Sequence, residues 1–467
     1  MPFHCLGCGR AFDELENQTA CGGCGGVLVH RPEAFRAGEL ADSSATGVWR
    51  YWRLLPHVPP HWRISLGEGG TFLQRADRLG VGLGFSRVFL KNEATNPSGS
   101  FIDRGVAVEV SHATSLGFRK LSCFSRGNLG VSVSAYAAKV GLETRVYVPP
   151  AMERGKLYQL LAYDAQVHFT ARMAGALGRR LHREGFYHIT STSPYFLAGL
   201  KTLAYELVAE INPDYVVFPV GEGGNITMFW QGLGDLRRSG ATDARPRLVA
   251  VQSEGCMPIV QAYNSGRSMP EWRSAIKTIF TDIAVPNPSL GPYVIKSLRE
   301  SHGLAISVSD IEILQATKDL ARWEGILAEP AAASTIAALR KMAEDGRLGG
   351  DENVVCVVTG SGLKEPYIER PSGRAERSIA ARALTASRVG VTKSHILQLL
   401  AERPSYGYAI RRDLARRFGI QVSTTSVYQH LAELAYAGLV TARSTTYANR
   451  RRTLYSLTPT GRQKTTH

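Results

Sequence analysis

A chain of 467 residues, 44% of them hydrophobic, is long enough for two or three domains with cores of their own, and its apolar runs stop short of the ~20 residues of a membrane span. Its opening, Met1-Pro-Phe-His-Cys5, has no signal-peptide hydrophobic stretch, so a cytoplasmic location without membrane contact is expected, and the seven cysteines do not form a disulfide framework. The formal charge of +15 is unevenly spread: Arg370 to His467 holds 17 Lys+Arg against 4 Asp+Glu, leaving 38 against 36 in the first 369 residues, the footprint of a nucleic-acid-binding module on a near-neutral body.

At the N-terminus, Cys5-Leu-Gly-Cys8 and Cys21-Gly-Gly-Cys24 are two Cys-x-x-Cys knuckles. Each puts two thiolates on one tight turn. Four sulfurs close a tetrahedral site with no open position, so a structural Zn2+ is expected on Cys5, Cys8, Cys21 and Cys24, in a ribbon over 1–35. A segment this short buries too little to fold alone, and metal binding takes the place of a core.

From residue 48 the pattern alternates between strand and helix. Ser65-Leu-Gly-Glu-Gly-Gly-Thr-Phe72 is followed by an apolar strand, Val88 to Leu90, which runs into Lys91-Asn-Glu-Ala-Thr-Asn-Pro-Ser-Gly-Ser-Phe-Ile-Asp-Arg-Gly105 and then a helix. Leu121-Ser-Cys-Phe-Ser-Arg-Gly-Asn-Leu-Gly130 reads as strand, turn and the start of a helix over Val131 to Gly141. With a second strand at Thr144 to Val148 it makes a βαβ unit. Val216-Val-Phe-Pro-Val-Gly-Glu-Gly-Gly-Asn-Ile-Thr227 places glycines between a buried strand and a helix beginning near Asn225. Such a loop can aim several N–H groups and a helix N-terminus at one phosphate. By spacing alone, each of these loops is also an ordinary strand-to-helix turn.

Taken with Lys156-Leu-Tyr-Gln, Ala328-Glu-Pro-Ala and Val354-Val-Cys-Val-Val-Thr-Gly-Ser-Gly-Leu-Lys-Glu-Pro366, these motifs resemble, in order, those of threonine synthase, a pyridoxal-phosphate (PLP) enzyme. The resemblance implies an α/β body of PLP fold type II, similar to the tryptophan synthase β subunit, over 48–368. It implies that Asn128 lies beside the ring's 3'-oxygen, that Gly221, Glu222, Gly223, Gly224 and Asn225 cradle the phosphate, and that Thr359 faces the ring nitrogen. Ser125 and Gly127 would border a substrate carboxylate. Glu222 must then point away from the phosphate.

Two positions depart from the family. The residue between the Phe and the Asp-Arg-Gly is, in threonine synthases, the lysine that holds the cofactor as a Schiff base; here it is Ile102. Isoleucine can neither anchor an aldehyde nor move the proton at a substrate's α-carbon. Leu129 and Phe196 stand where threonine synthases bind the phosphate of O-phosphohomoserine with polar and basic residues. Lys91, Lys156, Lys201 and Lys364 match lysines of the family, so none is an obvious replacement amine.

Residues 369–392 read as a Ser/Arg/Ala-rich linker. His395-Ile-Leu-Gln-Leu-Leu-Ala-Glu-Arg-Pro-Ser-Tyr-Gly-Tyr-Ala-Ile410 and Ser423-Thr-Thr-Ser-Val-Tyr-Gln-His-Leu-Ala-Glu-Leu-Ala-Tyr-Ala-Gly-Leu439 resemble the first helix and the recognition helix of PadR-type winged-helix regulators, giving a domain over 393–467. Val427, Leu431, Leu434 and Leu439 keep near-helical spacing, which leaves Thr424, Ser426, Tyr428 and Gln429 to a DNA groove. Arg443, Arg450, Arg451 and Arg452 would lie on the wing, and Arg411, Arg412, Arg416 and Arg417 would serve phosphates. Two readings follow. In one, a homodimeric transcription regulator binds PLP or a related small ligand non-covalently. In the other, a PLP-dependent lyase or synthase carries a DNA-binding appendage.

Overall fold

The computed structural model describes residues 2–13, 15, 18–33, 35–149, 152–170, 175–364, 388–420, 422, 424–436, 438–447 and 450–463. The chain divides into two units, Met1–Pro366 and Tyr367–His467. Among the described residues, no helix is long and apolar enough to cross a membrane.

The first unit opens with a small antiparallel sheet, β1 (Phe3–Cys5) between β2 (Ala11–Phe12) and β3 (Leu28–His30). Then come β4 (Leu73–Arg75), α1 (Asp77–Leu83), β5 (Val88–Asn92), α2 (Ile102–Ser115), β6 (Lys120–Phe124), α3 (Asn128–Lys139), β7 (Glu143–Val148), α4 (Arg154–Ala162), β8 (Gln166–Phe169), α5 (Gly175–Arg183) and β9 (Phe186–Ile189). They are followed by α6 (Pro194–Leu200), α7 (Thr202–Glu210), β10 (Tyr215–Pro219), α8 (Gly224–Arg238), β11 (Arg247–Ser253), α9 (Pro258–Asn264), α10 (Gly291–Glu300), β12 (Leu304–Val308), α11 (Asp310–Glu324), α12 (Pro330–Glu344) and β13 (Val354–Val358).

These strands form two sheets. One has the order β8-β7-β6-β9 and is parallel throughout. The other, β12-β11-β10-β13-β5-β4, is parallel except for its edge strand β4. Parallel sheets are covered by helices on both faces, which is why β13 is an uninterrupted buried Val-Val-Cys-Val-Val. The helices carry their own stop and start signals: Ser309 and Glu312 make a capping box on α11, and Gly325 ends it in the left-handed region. The expected α/β body is therefore present, as two mainly parallel sheets. The expected helix over Val131 to Gly141 begins earlier, at Asn128, and the helix after the Gly loop begins at Gly224, because Gly127 and Gly223 serve as N-caps.

A buried ion cluster fixes the loop that leads to α2. Arg104 donates to Glu93 at 2.6 and 2.8 Å and to Glu206 on α7 at 2.7 and 2.6 Å, and Lys91 pairs with Glu210 at 2.7 Å. Burial pushes the Glu206 carboxyl up, but Arg104 and Lys91 outweigh it and hold it at about 2. Within the loop, Asp103 accepts from the Ser98 N–H (2.7 Å) and hydroxyl (2.6 Å), and from Ser132 on α3.

The second unit contains α13 (Arg388–Glu402), β14 (Ser405–Tyr406), α14 (Gly407–Phe418), α15 (Thr424–Tyr436), β15 (Val440–Tyr447), β16 (Arg450–Leu457) and α16 (Pro459–Gln463). Its sheet has the order β14-β16-β15, with β15 and β16 an antiparallel hairpin. Ile396, Leu400, Ile410, Leu414, Val427, Leu431 and Leu434 form its core. Helices α13, α14 and α15 with the β15–β16 hairpin make a winged helix. Residues 369–387 of the expected linker lie outside the described residues, and 388–392 are already helical in α13.

Candidate functional site

Strand ends of both sheets feed one cavity of about 360 Å³, in the position at the carboxyl ends of strands where open α/β sheets bind ligands. β6 delivers Phe124 and Ser125, β10 delivers Pro219 and Gly221, and Thr359 follows β13.

The Gly loop is shaped by contacts a side chain would destroy. A Cβ on Gly221 would meet the Asp282 carbonyl at 2.6 Å. Gly223 has φ +96°, and a Cβ there would meet Val294 Cγ2 at 2.5 Å. Behind the loop, the Asn225 side chain is buried with neither Nδ2 nor Oδ1 hydrogen-bonded, and the buried Thr227 hydroxyl is also without a partner. Buried polar groups are normally satisfied. Unused donors at the N-terminus of α8 fit a phosphate. Glu222 turns its carboxylate to the Ser289 N–H at 2.7 Å, although it borders the cavity, and burial pushes its carboxyl up.

Asn128 is clamped at both ends. Its Nδ2 donates to Glu329 at 3.0 and 3.2 Å, and its Oδ1 accepts from Lys364 at 2.7 Å. Glu329 lies 3.3 Å from Lys364 and 3.6 Å from Lys156, which pairs with Asp282 at 2.6 Å. Thr359 lines the cavity, and its hydroxyl makes no hydrogen bond to a described residue; its carbonyl accepts from the Phe101 N–H at 3.0 Å. Ser125 and Gly127 also line the cavity. The Ser125 hydroxyl, however, is spent on its own turn, accepting from the N–H groups of Gly127 (3.0 Å) and Gly130 (2.8 Å).

Ile102 is the first residue of α2 and lines the same cavity, as do Leu129 and Phe196. Lys91 is buried against Glu206 and Glu210, and Lys201 against Asp235; neither borders the cavity. Sequence reasoning missed Arg126, Asp282 and Glu329 as wall residues. Arg126 stood inside the Ser-Arg-Gly-Asn turn, and a cation in a ligand loop was the available signal. Asp282 has no local motif, and Glu329 had one, the Glu-Pro-Ala turn.

In the ribbon, the four cysteine sulfurs lie within 4.8 Å of one another, with Cys5 to Cys24 at 3.4 Å and Cys8 to Cys21 at 3.8 Å. A tetrahedron with Zn–S of ~2.3 Å has edges of about 3.8 Å, so the donor set fits the metal. N–H groups of Gly7 and Gly26 point at Cys5 and Cys24 sulfurs, at 3.3 and 3.4 Å. A Cβ on Gly7 or Gly26 would crowd the Tyr293 hydroxyl, at 3.2 and 3.3 Å, so α10 lies directly against the ribbon.

In the winged helix, Thr424, Tyr428 and Arg443 are exposed, and Val427, Leu431, Leu434 and Leu439 are buried. The side chains of Ser426, Gln429, Arg450, Arg451 and Arg452 lie outside the described residues. Arg411, Arg412 and Arg416 are exposed, whereas Arg417 makes a two-pronged pair with Glu402 at 2.7 and 2.8 Å.

The family model for pyridoxal-phosphate dependent enzymes matches residues 64–360, and the model for the transcriptional regulator PadR-like family matches 396–467. The chain belongs to the pyridoxal-phosphate dependent enzyme family. Threonine synthases of Methanosarcina acetivorans and Methanocaldococcus jannaschii are 37% and 38% identical over 375 and 376 residues, in each case 78% of this chain and 92% of the relative. The fold is shared with maize serine racemase (TM-score 0.56, 18% identity, 68% of this chain and 93% of that one) and with a threonine deaminase from Solanum lycopersicum (TM-score 0.55, 17% identity, 69% and 85%). A threonine synthase-like PLP-dependent domain is thus joined in one chain to a PadR-like regulator domain.

Proposed function

We propose that this chain is a DNA-binding transcription regulator whose threonine synthase-like body holds PLP non-covalently and responds to a small ligand. The observation that carries this reading is Ile102 on the cavity wall beside a phosphate cradle that keeps unused donors. When bound, PLP supplies an aldehyde that condenses with amines and a ring that withdraws electrons.

The chain's own residues then have binding roles. The N–H groups of Gly221, Gly223 and Gly224, with Asn225, hold the phosphate. Asn128, locked by Glu329 and Lys364, presents a fixed amide to the ring's oxygen, and Thr359 offers a hydroxyl to its nitrogen. Leu129, Phe196 and Ile102 exclude water. None of these groups is a base on the α-carbon of a substrate, and the loss of a general base alone is worth ~10²–10⁴ in rate. The ribbon holds Zn2+ through Cys5, Cys8, Cys21 and Cys24. The DNA surface is Thr424, Ser426, Tyr428, Gln429, Arg443, Arg450, Arg451 and Arg452, and the working form is a homodimer.

The second reading is a PLP-dependent lyase or synthase with an unusual amine. What favours it is the placement of Lys364 and Lys156 around Glu329. One experiment separates the two. Purified protein is incubated with PLP, its absorbance recorded, and the sample divided between dialysis and borohydride reduction followed by peptide mapping. The regulator reading expects PLP to dialyse away and no pyridoxyl-lysine to form. A reduced adduct on Lys156 or Lys364 would establish the enzyme reading instead.

A further inference from the structure

Ile102 heads α2, and one turn later Gly105 packs so closely on α6 that an added Cβ would lie 2.4 Å from the Phe196 ring. Phe196, Leu200 and Leu129 line the cavity together with Ile102. Leu200 in turn abuts the Gly loop: a Cβ on Gly224 would sit 3.5 Å from Leu200 Cδ1. An apolar strip therefore runs from Ile102 to the phosphate cradle at Gly224.

The carboxylates and Lys364 around the cavity already have hydrogen-bond or ion-pair partners. Asp282 faces Lys156 at 2.6 Å, Glu329 accepts from Asn128 at 3.0 Å, and Glu222 accepts from the Ser289 N–H at 2.7 Å. Lys364 is used by the Gly99 carbonyl and Asn128 Oδ1, each at 2.7 Å. Arg126, exposed, with one 3.3 Å bond to the Ala284 carbonyl and close enough to Glu222 to draw down a carboxyl that burial pushes up, is the cavity-lining cation with donors left among the described residues. It can serve one carboxylate. A second anionic group at the far end of a ligand side chain would lie against hydrocarbon, where an unpaired charge is strongly disfavoured.

We propose that the ligand of this site is the Schiff base of PLP with a free amino acid whose side chain is apolar. This rests on the reading that the body binds PLP without a lysine linkage. The amino nitrogen attacks the aldehyde carbon, a C=N bond replaces C=O, and the oxygen leaves as water, so no oxidant or reductant takes part. With isoleucine at 102, no amine at that position competes for the aldehyde. The free amino acid then sets occupancy, and the apolar strip sets which amino acid it is.

The test uses the full-length protein loaded with PLP and followed by cofactor absorbance, with the same mixtures lacking protein as background. Leucine, alanine, serine and O-phosphohomoserine are titrated separately. Leucine should bind about 50-fold more tightly than alanine, from three added carbons at ~0.8 kcal/mol each, and O-phosphohomoserine no more tightly than serine. Leu129→Arg, which adds a donor to the strip, should shift preference towards O-phosphohomoserine relative to leucine by at least about tenfold, one charge-assisted contact. Equal binding of leucine and alanine, or tightest binding of O-phosphohomoserine by the unsubstituted protein, would overturn the assignment while leaving non-covalent PLP binding intact. Failure to bind PLP at all would remove the underlying reading and the assignment with it.

Discussion

Position 102 decides whether an amine stands at the cavity wall. Lysine there would start α2 from the same backbone, whose N–H faces Ser100 Oγ at 3.4 Å, and would extend an amine into the cavity that isoleucine lines now. Ile102→Lys should therefore make bound PLP resist dialysis and give a borohydride-fixed adduct that maps to residue 102. Dialysable PLP in that variant would mean that the aldehyde is not held near α2. Glu109, on the same helix, makes a pH prediction. Burial pushes its carboxyl up to about 7, against hydrogen bonds from the Tyr187 hydroxyl and the Phe196 N–H, both at 2.7 Å. The ordinary glutamate value is 4.5, so the folded state binds the extra proton between the two values. Its stability is highest below that window and declines as pH rises through it, by about 3 kcal/mol at most. Melting temperature of Glu109→Gln should change less between pH 5 and pH 8 than that of the unsubstituted protein; parallel shifts would assign the dependence to other groups.

Helix α8 and its loop show why a glycine pattern alone is weak and its placement strong. Three glycines announce a tight turn, but only the approach of Val294 and the left-handed φ make Gly223 irreplaceable. Gly223→Ala should cost at least about 1 kcal/mol of local strain, and PLP affinity should fall tenfold or more in equilibrium dialysis; unchanged affinity would place the phosphate elsewhere. Helix α10 carries this one step further. Leu290 and Val294 press on Gly223, and Tyr293 of the same helix touches the turns around the cysteines. Stripping metal with a chelator should therefore release one zinc per chain and weaken PLP binding several-fold. Full PLP affinity after complete metal loss would show that α10 does not transmit the state of the ribbon.

For the whole molecule, the two units meet in function only if the body's ligand alters DNA binding. A ligand shifts such an equilibrium only as far as its affinity differs between the two states, and couplings of about 5–150-fold are usual. Operator affinity at fixed salt should change within that range when PLP and an amino acid are added, and the change should vanish in Asn128→Ala and Thr359→Ala. Identical titrations under all conditions would reduce the body to a scaffold. Affinity should also fall steeply with salt, with a log–log slope near −0.9 for each phosphate contacted.

Sequence by itself determined the order of the motifs, the cysteine quartet, the missing lysine at 102 and the basic last fifth, because each is a matter of local spacing, identity or composition. It also placed Val427, Leu431 and Leu434 inside the winged helix, since a 3.6-residue period is a local property. Only tertiary structure decided that Glu222 turns to Ser289, that Ser125 spends its hydroxyl on its own turn, and that Asn225 keeps its amide unused. It alone joined Asn128 to Glu329 and Lys364, partners 201 and 236 residues away. Those pairings depend on which strand ends converge on one cavity, and contacts at such separations leave no period or spacing in the chain from which to read them.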